Sequence, residues 1–188
     1  TEPAVTTLTN TTTGIHSHNA TNIQSGLYVD KIAVKGVTNE TVLSNRLTTI
    51  NSSYWVAVGW GTNEIATSND GITWTERSSP FTDQVYDVAW NGSLWVAVGT
   101  GTTKIATSPD GITWTGRSSP FSTNAIGVAW NGSLWVVTGK GTYNIATSPD
   151  GITWTGRSSP ITSYGYGIAW NGSLWVAGGI GTYNIATS

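Results

Sequence analysis

A segment of about 40 residues repeats along this chain, and the repeat constrains the fold more than any other feature. The hexapeptide Trp-Asn-Gly-Ser-Leu-Trp begins at Trp90, Trp130 and Trp170, which are 40 residues apart. A second pattern, Ser-x-Asp-Gly-Ile-Thr-Trp, recurs at the same spacing from Ser68 onward. A self-similar period in this range indicates a repeat architecture, in which each unit packs on its neighbours.

The composition favours sheets with tight turns and excludes several kinds of function. Charged residues make up 10% of the chain, against about 25% in ordinary globular domains. The net charge is -2 and the eight Lys and Arg residues are scattered, so we expect no nucleic-acid partner. There is no Cys, which excludes disulfides and thiolate metal sites. No apolar run reaches the roughly 20 residues of a transmembrane helix, so we expect no membrane insertion.

Each full repeat is predicted to form four short strands. In the second unit these are strand A (Val85 to Trp90), strand B (Leu94 to Val98), strand C (Lys104 to Thr107) and strand D (Ile112 to Arg117). Asn91-Gly92 between two apolar strands is typical of a two-residue hairpin turn. That turn would place Ala89 opposite Leu94 and Val88 opposite Trp95.

The predicted hairpin is apolar on both of its sides. Trp90, Val88 and Trp95 lie on one side, and Ala89, Leu94 and Val96 lie on the other. A sheet that is apolar on both faces must be covered on both faces. Radial stacking of small four-stranded sheets achieves this, so the sequence predicts an all-β fold: a β-propeller, or a propeller segment, with blades of about 40 residues.

The connection between strands C and D resembles the Asp-box (bacterial neuraminidase repeat) family of propellers. The matching residues are Ser68, Asp70, Gly71 and Trp74, then Ser108, Asp110, Gly111 and Trp114, then Ser148, Asp150, Gly151 and Trp154. The resemblance covers roughly residues 44 to 188 and implies a structural role for the motif. The carboxylate would accept backbone hydrogen bonds, Gly would permit the bend and Trp would pack between blades.

The chain divides into a non-repeating part and a repeating part. Residues 1–43 are predicted to be an extended arm with one strand, Gly26 to Val34, and residues 44–188 to form three full blades and one partial blade. Three explanations for the incomplete blade stay open. The arm strand completes a four-bladed ring, several chains complete the ring together, or the chain is a piece of a longer array, which we favour.

We do not expect the sialidase activity that the family resemblance suggests. Family sialidases use three arginines with a Tyr/Glu nucleophile pair and an Asp acid. This chain has Arg46 and three copies of one strand D position, Arg77, Arg117 and Arg157. Copies of one outer position do not converge on one site. We therefore expect no enzyme, and a glycoside hydrolase remnant is the least favoured alternative.

His16 and His18 form the candidate metal pair of the sequence. Two imidazoles lie on one side of an extended segment, as in the HxH motifs of trimeric phage fibres, which this segment resembles. Two ligands from one chain do not complete a site, so binding would require threefold symmetry. The alternative is a solvated Thr-rich leader, and we expect neither a bound metal nor any other cofactor.

Differences between the repeats cluster in the B–C loops and the D–A links. These connections share one end of a four-stranded meander, so the sequence predicts a single variable rim that carries recognition. Neutral drift at exposed loops is the alternative interpretation. The candidate ligand-binding residues are Trp60, Lys140, Tyr143, Asn144, Tyr164, Tyr166, Tyr183 and Asn184.

The features together favour a non-enzymatic structural or adhesion protein. Low charge, abundant Thr, Ser, Asn and Gly, and a non-repeating arm resemble virion appendage proteins. We expect a tail-fibre or capsid-decorating protein on a virion or extracellular surface, with its arm on other assembly subunits and its rim toward glycans. We also expect homo-oligomers. The alternative is a secreted or cell-surface lectin-like propeller of a microbe.

Overall fold

Four antiparallel sheets follow one another along the chain. The computed structural model describes residues 28–29, 32–34, 55–61 and 64–188. In each sheet the strands are neighbours in chain order. This arrangement confirms the predicted all-β fold of small meander sheets. Within the described residues there is no helix of a length and apolarity that would cross a membrane.

Successive sheets have closely similar strand bounds. The first sheet contains β1 (Tyr28–Val29), β2 (Ile32–Val34), β3 (Trp55–Val58), β4 (Ile65–Ser68) and β5 (Thr75–Arg77). The second contains β6 (Val85–Trp90), β7 (Trp95–Gly99), β8 (Ile105–Ser108) and β9 (Thr115–Arg117). The third contains β10 (Asn124–Trp130), β11 (Trp135–Lys140), β12 (Ile145–Ser148) and β13 (Thr155–Arg157). The fourth contains β14 (Tyr164–Trp170), β15 (Trp175–Ile180) and β16 (Ile185–Thr187).

The number and the pairing of the strands in the arm differ from the prediction. One strand was expected over Gly26 to Val34, and the structure has two, β1 and β2, which pair with each other. Strand β2 also pairs with β3, with Val34 opposite Trp55. The arm strand thus belongs to the first sheet, and the explanation in which it completes the fourth blade is wrong. The division at residue 43 stays a prediction, and His16 and His18 lie outside the described residues.

The A–B hairpin has a four-residue loop instead of the predicted two-residue turn. Trp90 lies opposite Trp95, and Val88 lies opposite Ala97. The loop is held by Asn91, whose Oδ1 accepts hydrogen bonds from the N–H groups of Ser93 at 2.9 Å and Leu94 at 2.7 Å. Relative to the prediction, the partner strand is shifted by two residues. A shift of two keeps every side chain on its predicted face.

The Ser-x-Asp-Gly-x-x-Trp segments 68–74, 108–114 and 148–154, here called the aspartate turns, form compact loops between strands C and D. In the second blade Oδ1 of Asp110 accepts hydrogen bonds from the N–H groups of Ile112 and Thr113, both at 2.8 Å. It also accepts one from the Ser108 hydroxyl, at 2.8 Å. Because the turn uses residues up to Trp114, strand D begins at Thr115, three residues later than predicted.

These hydrogen bonds lower the pKa values of the turn carboxylates. The N–H groups of Thr153 and Ile152 are the main reason that the pKa of Asp150 is lowered from 3.8 to about 2. The equivalent N–H donors, Thr73 first, hold the pKa of Asp70 well below its usual value. At Asp110 burial raises the pKa, but the hydrogen bonds outweigh burial and the net shift is downward. All three carboxylates are therefore ionised acceptors at neutral pH.

Apolar cores lie between successive sheets. The core between the first and second sheets includes Val56, Ile65, Val88, Trp90, Trp95 and Trp114. The core between the second and third includes Ala89, Val96, Val98, Val128, Trp135 and Val137, with Leu94 and Trp154 packed against it. The two sides of the second sheet were predicted correctly. The Trp of each of these two aspartate turns packs toward the preceding sheet, and such a side chain contributes up to about 4–6 kcal/mol by area burial.

We predict that protonation of the aspartate turns destabilises the protein between about pH 4 and pH 2. A carboxyl whose pKa is lower in the folded state binds fewer protons there than when unfolded, so the free energy of unfolding falls as pH drops through this window. Thermal midpoints should be measured from pH 7 to pH 2 for the wild type and a triple variant (Asp70→Asn, Asp110→Asn, Asp150→Asn). The variant should have a lower midpoint at neutral pH and a shallower acid decline. Parallel curves would contradict this role of the carboxylates.

We predict that Gly151→Ala destabilises the protein more than Gly71→Ala. Both glycines have positive φ, 76° and 74°, so both substitutions incur about 1–2 kcal/mol of backbone strain. A Cβ on Gly151 would also lie 2.9 Å from Leu94 Cδ2 and 3.3 Å from Val96 Cγ2 of the preceding blade. On Gly71 the nearest atom would be Trp55 Nε1, at 3.6 Å. Urea unfolding should show about 1–3 kcal/mol of additional loss for Gly151→Ala, and equal losses would contradict tight packing between blades.

Candidate binding surface at the variable rim

The B–C loop lies beside the preceding D–A link in the second and fourth blades. In the second blade the Thr102 N–H donates to Thr82 Oγ1 at 3.1 Å. In the fourth blade the Thr182 N–H donates to Thr162 Oγ1 at 3.0 Å. We call the surface formed by residues 60–61, 64, 82–87, 100–104, 122–127, 140–144, 162–167 and 180–184 the variable rim.

Three predicted site residues meet where the third and fourth blades adjoin. The Lys140 Nζ lies 4.1 Å from the centroid of the Tyr164 ring and donates a hydrogen bond to the Tyr164 hydroxyl. The rings of Tyr164 and Tyr166 are stacked, with centroids 5.6 Å apart and planes 11° apart. An ammonium group next to an aromatic face is held by the quadrupole of the ring. The three residues form a cationic aromatic cluster.

A β-bulge places Tyr166 in this cluster. Gly165 pairs with Gly179 and Gly167 pairs with Gly178, so Tyr166 is the extra residue of β14. Bulges turn a side chain away from the regular alternation of a strand. The result is a ring next to Tyr164, two residues earlier, with Tyr166 remaining 50% exposed.

The bulge recurs in the other blades, but the cluster does not. The second and third blades have the same register shift, with Tyr86 and Ile126 as the extra residues. The equivalents of Tyr164 are Gln84 and Asn124, and neither provides an aromatic ring. All three blades therefore have the same bulge, but of these three only the fourth has a pair of stacked rings beside it.

Tyr143 lies on the rim against strand D of its own blade. A Cβ added to Gly156 of β13 would lie 2.3 Å from Tyr143 Cδ2, so the ring fills space that a larger residue at 156 would need. Tyr143 is nonetheless 39% exposed. The second blade has Thr103 packed in the same way over Gly116. A glycine in strand D thus leaves room for the facing loop residue, which is a tyrosine in the third blade and a threonine in the second.

Asn144 is buried, unlike the other rim candidates. Its Nδ2 donates to the Ile161 carbonyl at 2.9 Å, and the residue is only 8% exposed. The side chain thereby holds the D–A link against the B–C loop. We therefore leave Asn144 out of the proposed binding surface.

The remaining candidates are exposed but lie outside the cluster. Trp60 lies on the first blade, and Tyr183 and Asn184 lie in the B–C loop of the fourth. Hydrogen bonds and ring contacts among the described side chains join Lys140, Tyr164 and Tyr166 and do not extend to these three. The rim is therefore a series of separate aromatic positions with one assembled group.

Two similar grooves outside the rim were missed by sequence reasoning. One, of about 540 Å³, is lined by Arg117, Ser118, Ser119 and Pro120 of one blade and by Ile152 and Trp154 of the next. Its equivalent one repeat earlier, of about 550 Å³, contains Arg77 and Trp114. In the first groove the Arg117 Nε donates to Thr107 Oγ1 at 2.8 Å, so this guanidinium is fixed in place. The residues that line these grooves hardly vary between repeats, so a search for variable positions does not find them.

The described residues contain no cluster of side chains that could hold a metal ion. No group of three or more His, Cys, Asp or Glu side chains occurs within the described ranges. The aspartate-turn carboxylates are occupied by backbone and Ser donors. The variable rim offers aromatic faces, hydroxyl groups and the ammonium groups of Lys104 and Lys140.

The fold resembles known structures at low sequence identity. The computationally designed Ika4 protein matches with a TM-score of 0.53 and 10% identity, over 74% of this chain and 86% of that one. A chain of a nidogen/laminin complex matches with a TM-score of 0.55 and 14% identity, over 93% of this chain and 68% of that one. At these identities the similarity concerns the fold alone. No curated protein matches the sequence.

A family of propeller domains matches more than half of the sequence. The match runs over residues 29–164, from β1 to the first residue of β14, and so includes the second and third sheets completely. Four successive meander sheets, with apolar cores between the first and second and between the second and third, agree with that description. The chain belongs to the family described as the DUF6242 beta propeller domain.

Proposed function

We propose that this protein is a non-enzymatic binding module, and that the variable rim of its propeller binds acidic glycans on a host surface. The observation that carries the proposal is the cluster of Lys140, Tyr164 and Tyr166. It combines an exposed aromatic face with a positive charge at the end of the fold where the repeats differ.

The chemistry of the cluster suits a sugar that bears a carboxylate or sulfate. Pyranose rings have an apolar face of C–H groups that packs on aromatic rings, and the exposed half of Tyr166 provides such a surface. Lys140 adds a donor for an anionic substituent, since an ammonium has three N–H donors and the Tyr164 hydroxyl uses one. A hydrogen bond to a charged group is stronger than one between neutral groups.

The proposed setting is a virion, with the protein as a tail-fibre or capsid-decorating subunit. The Asp-box resemblance of the aspartate turns, the low charge and the non-repeating arm motivate it. In this proposal residues 1–43 attach to other subunits of the particle. The blades then extend the rim toward the host.

We predict that glycan binding depends on the cluster. On an array of neutral, sialylated and sulfated glycans, Lys140→Gln should weaken binding to the acidic members at least about tenfold, because it removes the charge and keeps a donor. Tyr166→Ala should weaken binding to all members. Tyr86→Ala is the matched control, since it removes the bulge residue of the second blade, and it should bind as the wild type does.

Three other results of this array would be informative. Unchanged binding by both cluster variants, with loss in Arg117→Ala, would move recognition from the rim to the grooves between blades. No binding to any glycan by wild-type protein with a cooperative thermal transition would overturn the glycan proposal. A hydrolysed glycan would favour the glycosidase alternative.

We predict that the protein co-purifies with virus particles from its source and contacts them through the arm. Treatment with a lysine-reactive cross-linker and mass spectrometry should link Lys31 or Lys35 to another particle subunit. Lys104 and Lys140 of the blades are internal controls and should not form such links. Recovery of the protein only as a free secreted species would contradict the virion proposal and favour the lectin-like alternative.

A further inference from the structure

The two grooves between successive blades have the same arrangement of side chains around an arginine. The Arg117 groove lies between the second and third blades and has a volume of about 540 Å³. The Arg77 groove lies one repeat earlier, between the first and second blades. Each is lined by an arginine and the segment Ser-Ser-Pro of one blade and by the Ile-Thr-Trp of the next blade's aspartate turn. The groove is therefore a recurring property of the junction between two blades.

The guanidinium in each groove is held so that its two amino groups can meet a ligand. Arg117 Nε donates to Thr107 Oγ1 at 2.8 Å. Arg77 Nε donates in the same way to Thr67 Oγ1, at 2.9 Å. Within the described ranges the two amino groups of Arg117 have no acceptor, so four of the five N–H donors of this side chain remain for a ligand. A planar fork of this kind binds a carboxylate through two parallel hydrogen bonds.

The other walls of the Arg117 groove suit an extended peptide. Gly116 and Arg117 belong to β9, which is the last strand of its sheet and pairs with β8. The outer side of an edge strand presents backbone N–H and C=O groups with which an extended chain can pair. On the opposite wall Ile152 is 45% exposed and provides an apolar contact. The groove therefore offers contacts for a main chain, for an apolar side chain and for a carboxylate.

We infer that the Arg117 groove binds a short, extended, acidic segment of a partner protein, with a Glu or Asp carboxylate on the amino groups of Arg117. The groove is separate from the variable rim, so its occupancy does not depend on glycan binding there. The Arg77 groove differs at one charged position, because Glu76 lines it where the Arg117 groove has Gly116. A carboxylate in the lining opposes the binding of an acidic ligand. The Arg117 groove should therefore bind such a segment more tightly than the Arg77 groove.

A peptide array probed with the purified, labelled 188-residue chain tests this inference. Its hexapeptides have blocked ends and carry a central Glu, Asp, Gln or Asn between varied neighbours. The wild type should retain Glu and Asp peptides in preference to the matching amides. Arg117→Gln should weaken binding of the preferred peptide at least about tenfold, because it removes a charge-assisted pair. Arg117→Lys should also weaken it, because it keeps the charge and loses the fork. Lys104→Gln is the matched control, since it removes a positive charge outside both grooves, and should bind as the wild type does. Each variant is checked for a wild-type thermal midpoint.

Calorimetric titration with the preferred peptide distinguishes the two grooves. The wild type should bind one peptide per chain tightly, and Glu76→Gln should strengthen binding at the Arg77 groove so that a second equivalent appears. Equal retention of acidic and amide peptides, or equal affinities of the wild type and Arg117→Gln, would overturn the inference. Failure of the folded wild type to retain any acidic peptide would overturn it as well. Displacement of the peptide by a sialylated glycan would assign the groove to saccharides and would also overturn it.

Discussion

The second sheet of this protein is apolar on both faces, and its packing against its two neighbours follows from the need to cover both. In the second sheet the two faces are represented by Trp95 and Val96, adjacent residues of β7 that are both 0% exposed. Their side chains point to opposite sides, one into the core shared with the first sheet and one into the core shared with the third. No single blade can be stable under this condition, so stability belongs to pairs of neighbours.

The sequence was sufficient for the blades and insufficient for the details of their turns. The period of 40 residues and the alternation around Trp90 predicted the sheets, and β6 has the predicted bounds. The predicted hairpin register was wrong. From the sequence alone, Asn91-Gly92 is equally compatible with a two-residue turn and with the four-residue loop that the structure has. The choice is made by Asn91 Oδ1, which binds the N–H groups of Ser93 and Leu94 and so requires four loop residues. Side-chain capping of this kind competes locally with the ideal hairpin turn.

The candidate site was predictable as a region and not as a set of contacts. The differences between repeats indicated the rim, because loops can vary without changing the core. The stacking of Tyr164 on Tyr166 depends on the bulge at Tyr166, and regular alternation along a strand does not predict a bulge. The same limit applies to Asn144, since its burial depends on a carbonyl 17 residues away, that of Ile161. Contacts across the rim are tertiary, so residue type alone did not separate binding residues from structural ones.

The division between constant and variable residues has a consequence for how new binding surfaces arise on this fold. The aspartate turns fix the packing of one blade on another through Gly151 and Trp154, so they tolerate little change. The rim lies at the other end of each blade, where the contacts between blades include the hydrogen bond that Asp87 accepts from the Val128 N–H at 3.0 Å. Tyr164 occupies the position that Gln84 and Asn124 hold in the earlier blades, and it adds an aromatic surface while also contacting Lys140 of the third blade. The residues of the rim can therefore differ from blade to blade while the aspartate turns keep the packing of one blade on the next.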